Sequence, residues 1–415
     1  MTLRLLTVST LYPNAMFPAH GIFVETRLRH LLADEGVESV VIAPVPWFPI
    51  AHHSFGHAGQ IARIARRETR HGIEILHPRY AVIPHVTGRF TPRALFAAFA
   101  KGARMLRAEG YVPDAIDAHY LYPDGVAAIR LGRALGLPVV LTARGSDVSE
   151  WPDYPGPGRL IRTAIHEADA LIAVSEALAE GLRVIGTDPA RITTLRNGVD
   201  TTLFHPADPV ASRSTLGRDR RYLLSVGHLI PRKGHDRAIT ALAQLDPARY
   251  GALDLIIVGA GSERGRLGAL AACLGLAERV VFAGVQPQDR LATYYSGAEA
   301  LILASSREGW ANVLLESMAC GTPVVASPAW GNPEVVREAV AGLIAETNTP
   351  EAIASALGRL LADPPPRAAP RAYAERHGWR EISAGQRAIF DRVCGRERLV
   401  GKIRRKSPSD FSTSH

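Results

Sequence analysis

Two carboxylates stand eight residues apart in the segment Ser305-Ser306-Arg307-Glu308-Gly309-Trp310-Ala311-Asn312-Val313-Leu314-Leu315-Glu316, and the residues between them decide what chemistry they can do. The apolar run Ala300 to Ala304 reads as a short buried strand, and the stretch from about Asn312 to Cys320 as a helix stopped by Gly321 and Pro323. Glu308 therefore precedes the helix and Glu316 lies inside it. The backbone N–H groups around Asn312, Val313 and Leu314 form a helix N-terminus, whose unpaired donors and dipole favour an anion such as a diphosphate. The order carboxylate, phosphate nest, carboxylate matches the layout of a nucleotide-diphosphate sugar, with hexose hydroxyls on one side of the pyrophosphate and ribose hydroxyls on the other. Spacing alone is met at least as readily by a solvated glutamate pair beside a helix cap.

Further groups of chemical interest sit where strands end. Gly227-His228-Leu229-Ile230-Pro231-Arg232-Lys233-Gly234 follows one strand and opens a helix near His235, so Arg232 and Lys233 can offset phosphate charge; a solvated basic turn is the alternative. His119 closes the strand in Asp117-Ala118-His119, where the active groups of parallel sheets collect, although a lone histidine there is often a hydrogen-bonded core residue. Leu141-Thr142-Ala143-Arg144-Gly145-Ser146-Asp147-Val148 offers Asp147 for hydroxyl binding or for loop capping, and Arg144 for an anion. Gly21, between Ser9-Thr10-Leu11-Tyr12-Pro13 and the first helix, lets the backbone approach a ligand or simply serves a turn. Gly259-Ala260-Gly261 is a weak match to a dinucleotide fingerprint: its glycine spacing is off by one, and no acidic residue follows Phe282-Ala283-Gly284 to take a ribose.

These groups need a scaffold, and the hydrophobic pattern supplies one. Apolar runs at Arg4–Val8, Val37–Ala43, Ala115–His119, Pro138–Ala143 and Ala168–Val174 alternate with helical patterns such as Val24, Leu28, Leu31 and Leu32. A second series runs through Tyr222–Val226, Asp254–Val258, Arg279–Ala283, Ala300–Ala304 and Val324–Ala326. The expected fold class is α/β, with two Rossmann-like domains over residues 1–200 and 201–378. They are joined by the turn-rich stretch from Thr194-Leu195-Arg196-Asn197-Gly198-Val199-Asp200, and followed by an amphipathic helix at 379–393 and a basic tail at 396–415. Facing domains of this kind would form a cleft at the carboxyl ends of their strands.

The chain has 415 residues, ample for two cores, and its mean hydropathy is near zero. No stretch approaches the roughly 20 apolar residues of a membrane span, and the N-terminus reads as a first strand rather than an export signal. Cys273, Cys320 and Cys394 lack metal or redox spacing, which fits a reducing cytoplasm. The net charge of +8 favours an anionic partner: a polyphosphate substrate, an acidic membrane face or nucleic acid. No nucleic-acid fingerprint accompanies it, so nucleic acid ranks last. A basic helix over Pro92–Arg107 and the apolar loop Trp47-Phe48-Pro49-Ile50 could rest on anionic lipid, or the helix could pack on its own sheet. No Asp-x-Asp occurs, and His52, His53 and His57 cluster in a presumptive loop, so no metal is expected.

The segment Glu308 to Glu316, followed by Ala319-Cys320-Gly321-Thr322-Pro323-Val324-Val325-Ala326, resembles the E-x7-E signature of family 4 type retaining glycosyltransferases of GT-B fold; the resemblance extends over most of the chain to about Val393. It implies a metal-independent enzyme that needs no cofactor and moves a hexose from a nucleotide-diphosphate sugar to a hydroxyl on a glycan or lipid-linked acceptor, in cell-surface polysaccharide or glycolipid assembly. By the same resemblance, Glu308 positions the sugar and Glu316 the ribose. Lys233, Arg232 and the amides of Asn312, Val313 and Leu314 stabilise the leaving diphosphate, while Gly21, Gly259 and Val285 line the donor site. His119 touches the transferred sugar, Arg144 and Asp147 serve the acceptor, and the helix at 379–393 crosses back to the N-terminal domain. Two positions depart from the pattern: His228 stands where arginine is usual, and Arg144 where histidine is usual. They leave room for a nucleotide-sugar epimerase or hydrolase on the same fold, which would turn over donor without acceptor, and for a non-catalytic sugar-nucleotide-binding protein, which would bind donor without transfer.

Overall fold

In the computed structural model, which describes residues 2–33, 36–82 and 90–396, the chain divides into two compact units. The first takes the chain up to Ala173, Ala179–Leu195 and the residues from Arg380 onward; the second takes Val174–Leu178 and Arg196–Trp379.

The first unit is built on an eight-stranded sheet in the order Ile192–Thr194, Ala170–Ala173, Val139–Ala143, Ala115–His119, Leu3–Val8, Val37–Ile42, Ile73–Leu76, Arg67–Arg70, parallel except for the last pair. Its central strands are mostly apolar and buried on both faces, as a helix-covered parallel sheet requires, with Asp117, His119 and Thr142 as buried polar exceptions. The helix Trp379–Val393 lies with this unit: Ile389 and Phe390 pack with Leu3, Leu5, Val140 and Ile172. Gln386 of the same helix accepts a hydrogen bond from the buried Arg27 guanidinium at 2.7 Å.

All six strands of the second unit's sheet are parallel, in the order Val280–Gly284, Asp254–Val258, Tyr222–Val226, Ala300–Leu303, Val324–Ala326, Gly342–Ile344. The helices His235–Gln244 and Pro350–Ala362 bury Ile239, Leu242, Ile353 and Leu357 against it. In both sheets the first strand is central and later strands accumulate on either side, which leaves a switch point. It lies between Leu3–Val8 and Ala115–His119 in one sheet, and between Tyr222–Val226 and Ala300–Leu303 in the other. Loops diverge at the carboxyl ends of such strand pairs, and ligands of open α/β sheets bind there.

Every strand expected from apolar runs is present within two residues of its expected ends. The hairpin Arg67–Arg70 with Ile73–Leu76 was not expected, because its edge strand Arg67-Glu68-Thr69-Arg70 carries no apolar residue; it is held by backbone pairing to Ile73–Leu76 and by contacts of Arg67 with Glu74 and Glu109, Glu68 with His77 and Arg70 with Glu25. His53 and His57 are not in a loop: they fall in a 3-10 turn, His53–Phe55, and a helix, Gly56–Arg63, where the His57 ring stacks on Phe17 at 4.8 Å. The basic helix spans Thr91–Ala108 and buries Leu95, Ala98, Phe99, Gly102, Ala103 and Leu106, leaving Arg93, Lys101, Arg104 and Arg107 in solvent. Its amphipathic pattern is thus accounted for by packing within the unit. Of the tail expected over 396–415, only Arg396 is described, paired with Asp114 at 2.7 Å; the rest lies outside the described residues. No helix among the described residues is long and apolar enough to cross a membrane.

Phe390 is fully buried at the joint between the late helix and the first sheet. Phe390→Ala is expected to lower the unfolding free energy of this unit by about 3–5 kcal/mol in urea titrations, and a loss below about 1 kcal/mol would contradict that packing.

Candidate functional site

The second unit gathers its functional side chains at its own switch point. After the strand Tyr222–Val226 the chain makes a tight 3-10 turn, Pro231–Lys233, ending at Gly234 with φ 66°. A Cβ on Gly234 would sit 2.0 Å from the carbonyl oxygen of Ala304, so only glycine lets this turn lie against the end of the neighbouring strand. That approach is locked by Ser306 N–H donating to the Arg232 carbonyl at 2.8 Å, and by the Arg232 guanidinium donating to the Arg307 carbonyl at 2.9 Å.

Lys233 and Glu308 meet there, with Nζ 2.5 Å from Oε1. The same oxygen accepts from Ser305 Oγ at 2.7 Å, and Arg232 lies 3.7 Å from Oε2. Burial alone would raise the Glu308 pKa, but the charges of Lys233 and Arg232 and the hydrogen bonds from Lys233 and Ser305 outweigh it and hold the carboxyl below its ordinary range. Glu308 is therefore a fixed carboxylate, with two cations against its single charge. Ser305 is held in turn: its carbonyl accepts from Ser327 Oγ at 2.6 Å and from Asn348 at 3.1 Å.

Glu316 lives under different rules. It lies one turn into the helix Asn312–Ala319, half-buried, and accepts from Tyr295 Oη at 2.7 Å with no cation in reach among the described residues. Burial pushes its pKa up to about 7 against the lowering effect of that hydrogen bond. Two carboxyls eight residues apart thus differ in charge state near neutrality because one has cations beside it and the other does not.

Between them, no side chain caps the helix N-terminus at Ala311. Leu314 turns its amide to the Ala311 carbonyl at 3.1 Å, which takes it out of the expected phosphate nest and leaves that role to the amides of Asn312 and Val313. The Asn312 side chain accepts from Asn197 at 3.1 Å, so part of the segment read as a linker belongs to this site. Gly259 donates its amide to the Gly284 carbonyl at 2.8 Å, tying the turn after Asp254–Val258 to the end of the edge strand Val280–Gly284, and Val285 just beyond is 61% exposed. His228 is exposed on the basic turn; its carbonyl accepts from His235 at 3.3 Å. The partners Tyr295, Ser305 and Asn197 escaped the sequence reading. Only the paired buried tyrosines Tyr294-Tyr295, in a helix of otherwise polar pattern, signalled one of them.

In the first unit, Gly21 caps the helix Ile22–Leu32 with φ 68°, and a Cβ there would meet the Leu11 carbonyl carbon at 2.2 Å. The loop it closes is pinned by Asp124, which accepts from Thr10 N–H and from Thr10 Oγ1, the latter at 3.0 Å. Across the switch point lies His119, 1% exposed, with Nε2 3.2 Å from Asp117 and Nδ1 2.7 Å from the Arg144 guanidinium. Burial depresses the His119 pKa, helped by Arg144 and Arg27 and opposed by Asp117. Both oxygens of Asp147 are taken by backbone amides, those of Leu121, Arg144 and Gly145, so in this structure it caps its own loop rather than facing outward as an acceptor ligand. Arg144 is half-buried and donates to His119, with the Asp117 and Asp147 carboxylates near enough to favour its charge.

Two measurements check this geometry. Gly234→Ala forces the basic turn off Ala304 and is expected to weaken nucleotide-diphosphate binding at least about tenfold by calorimetry, a loss of roughly 1.4 kcal/mol; unchanged binding would mean the turn does not meet the ligand. The Glu316 carboxyl titrates at about 7 in the folded chain against an ordinary 4.5, so folding favours its protonated form. The associated stabilisation is whole below about pH 4.5 and is lost as pH rises through about 7. Glu316→Gln should therefore leave Tm unchanged near pH 4.5 and raise it by about 2–4 °C near pH 8.5; an equal shift at both would contradict the assignment.

Known proteins share the sequence pattern and the fold of this chain. Residues 26–203 match the model of "Glycosyltransferase Family 4", and residues 210–377 that of "Glycosyl transferases group 1". The D-inositol 3-phosphate glycosyltransferase of Acidothermus cellulolyticus is 33% identical over 435 residues, covering 87% of this chain and 96% of its own. Among solved structures, sucrose-phosphate synthase from Thermosynechococcus elongatus superposes with a TM-score of 0.73 at 21% identity, covering 98% of this chain and all of its own. Anabaena HepE in complex with UDP-glucose gives 0.68 at 19%, covering 95% of this chain and all of its own. The chain belongs to the family 4 glycosyltransferases and has the GT-B fold of two Rossmann-like domains.

Proposed function

We propose that this glycosyltransferase is a metal-independent, retaining enzyme that transfers a hexose from a nucleotide-diphosphate sugar held by its second unit. One observation carries the reading: Lys233 and Arg232 converge on Glu308 at the switch point that also bears the uncapped amides of Asn312 and Val313. Two cations to one carboxylate leave a surplus of positive charge for the diphosphate, and fixed donors aimed at charge that grows as the bond to the sugar breaks lower the barrier without reorganisation. Glu308, held ionised, orients sugar hydroxyls, and Glu316 receives the ribose hydroxyls. The departing phosphate takes the acceptor's proton, so no protein nucleophile is required.

His119 is assigned to the sugar and Arg144 to the acceptor side, with Asp147 holding the Arg144 loop through its backbone amides. The acceptor is a hydroxyl on a phosphorylated polyol, a glycan or a lipid-linked carrier. A phosphorylated polyol is supported by the activity for which the relatives are named and by the net charge of +8. An epimerase, a hydrolase or a binding protein would lack acceptor-dependent transfer.

A thermal-shift panel of UDP-, GDP- and ADP-hexoses should single out one donor. With that donor, Lys233→Ala is expected to cut kcat/KM by about 10²–10³-fold. Chelator should leave the rate unchanged, and proton NMR of the first-formed product should show the donor's anomeric configuration. Inverted product, or turnover abolished by chelation, would overturn the reading.

A further inference from the structure

An imidazole with both nitrogens engaged has its proton placed by its partners. A guanidinium carries only donors, so His119 Nδ1, 2.7 Å from Arg144 Nη2, must be the acceptor of that bond. An ionised carboxylate only accepts, so the proton facing Asp117 sits on Nε2. An imidazolium would have to point a second N–H at the guanidinium.

The charged groups facing the ring are Arg144 from the loop after Val139–Ala143, Arg27 from the helix Ile22–Leu32, and Asp117 on the histidine's own strand. Arg27 cannot swing away readily: it is 1% exposed, and donates to Gln386 at 2.7 Å and to the Leu195 carbonyl at 3.2 Å. Asp117 is equally enclosed, whereas Arg144 is only half-buried and stacks over the Phe23 ring at 5.3 Å. Arg144 is therefore the partner that an incoming ligand can displace.

We propose that Arg144 is a positioning residue for His119: it holds the imidazole in the neutral Nε2–H tautomer and so presents Nδ1 as a hydrogen-bond acceptor to a substrate hydroxyl that takes the guanidinium's place. The hydroxyl half of this statement rests on the transferase reading above; the tautomer half stands on the first unit alone. It gives a role to the arginine that occupies a position where the family pattern usually has histidine. Toward substrate, His119 acts as an acceptor and not as a general acid.

The test is nitrogen-15 NMR of the full chain labelled at histidine, with His119→Gln to assign the ring signals. In the wild type the proton should be on Nε2, with the ring's titration displaced below the ordinary histidine range. Arg144→Met should mix the two tautomers and bring the ring's titration toward the ordinary histidine range. It should also lower kcat/KM about tenfold or more while leaving nucleotide-sugar binding intact, and Arg144→Lys should restore the single tautomer. A wild-type ring protonated on Nδ1, or titrating like an ordinary histidine, overturns the assignment whatever the variants do. So does an Arg144→Met ring indistinguishable from wild type. Failure of every donor to support transfer, with the Nε2–H tautomer present, would sink the transferase reading and leave the tautomer assignment supported.

Discussion

The second unit depends on one close approach, in which the backbone of Gly234 lies against the Ala304 carbonyl with no room for a side chain. Through it the basic turn of one strand and the acidic loop of its neighbour become a single cluster, and Lys233 is placed on Glu308. Charge then follows geometry. Glu308 is buried yet ionised because its cations arrive with the turn, and Glu316, buried without them, is pushed toward the neutral form. Without the glycine turn, Glu308 would be a buried, uncompensated charge, which proteins tolerate poorly.

The first unit solves a related problem by another route. Its switch point gathers Arg27, Asp117, His119 and Arg144, where the Asp117 carboxylate offsets part of the charge of two guanidinium groups and the imidazole stays neutral between them. The late helix Trp379–Val393 takes part through Gln386, so the end of the chain helps set the electrostatics at the carboxyl end of the unit's central strand.

Much of the fold was legible because parallel strands buried on both faces are mostly apolar runs: Ala115–His119, Tyr222–Val226, Asp254–Val258 and Val324–Ala326 appear as expected. Strands stabilised by pairing rather than composition were not legible, as Arg67–Arg70 shows. Among site residues, the turn at Lys233 and the carboxylates were readable because their types are costly to place elsewhere. What sequence could not give was the partner of each polar group. Asp147 turned to its own loop, Leu314 spent its amide on Ala311, and Arg144 met His119. The first two are local turns, loop capping being one of the two roles open to Asp147; the His119–Arg144 pairing joins residues 25 apart and is set by tertiary packing.

The central claim is that Lys233, Arg232 and the amides of Asn312 and Val313 hold one diphosphate between the two glutamates of the second unit. A crystal structure with a bound nucleotide-diphosphate sugar tests it directly. The account predicts phosphate oxygens within about 3 Å of Lys233 Nζ and of those two amides, with Glu308 on the sugar and Glu316 on the ribose. A diphosphate bound away from Lys233, or a ribose that does not reach Glu316, would contradict it.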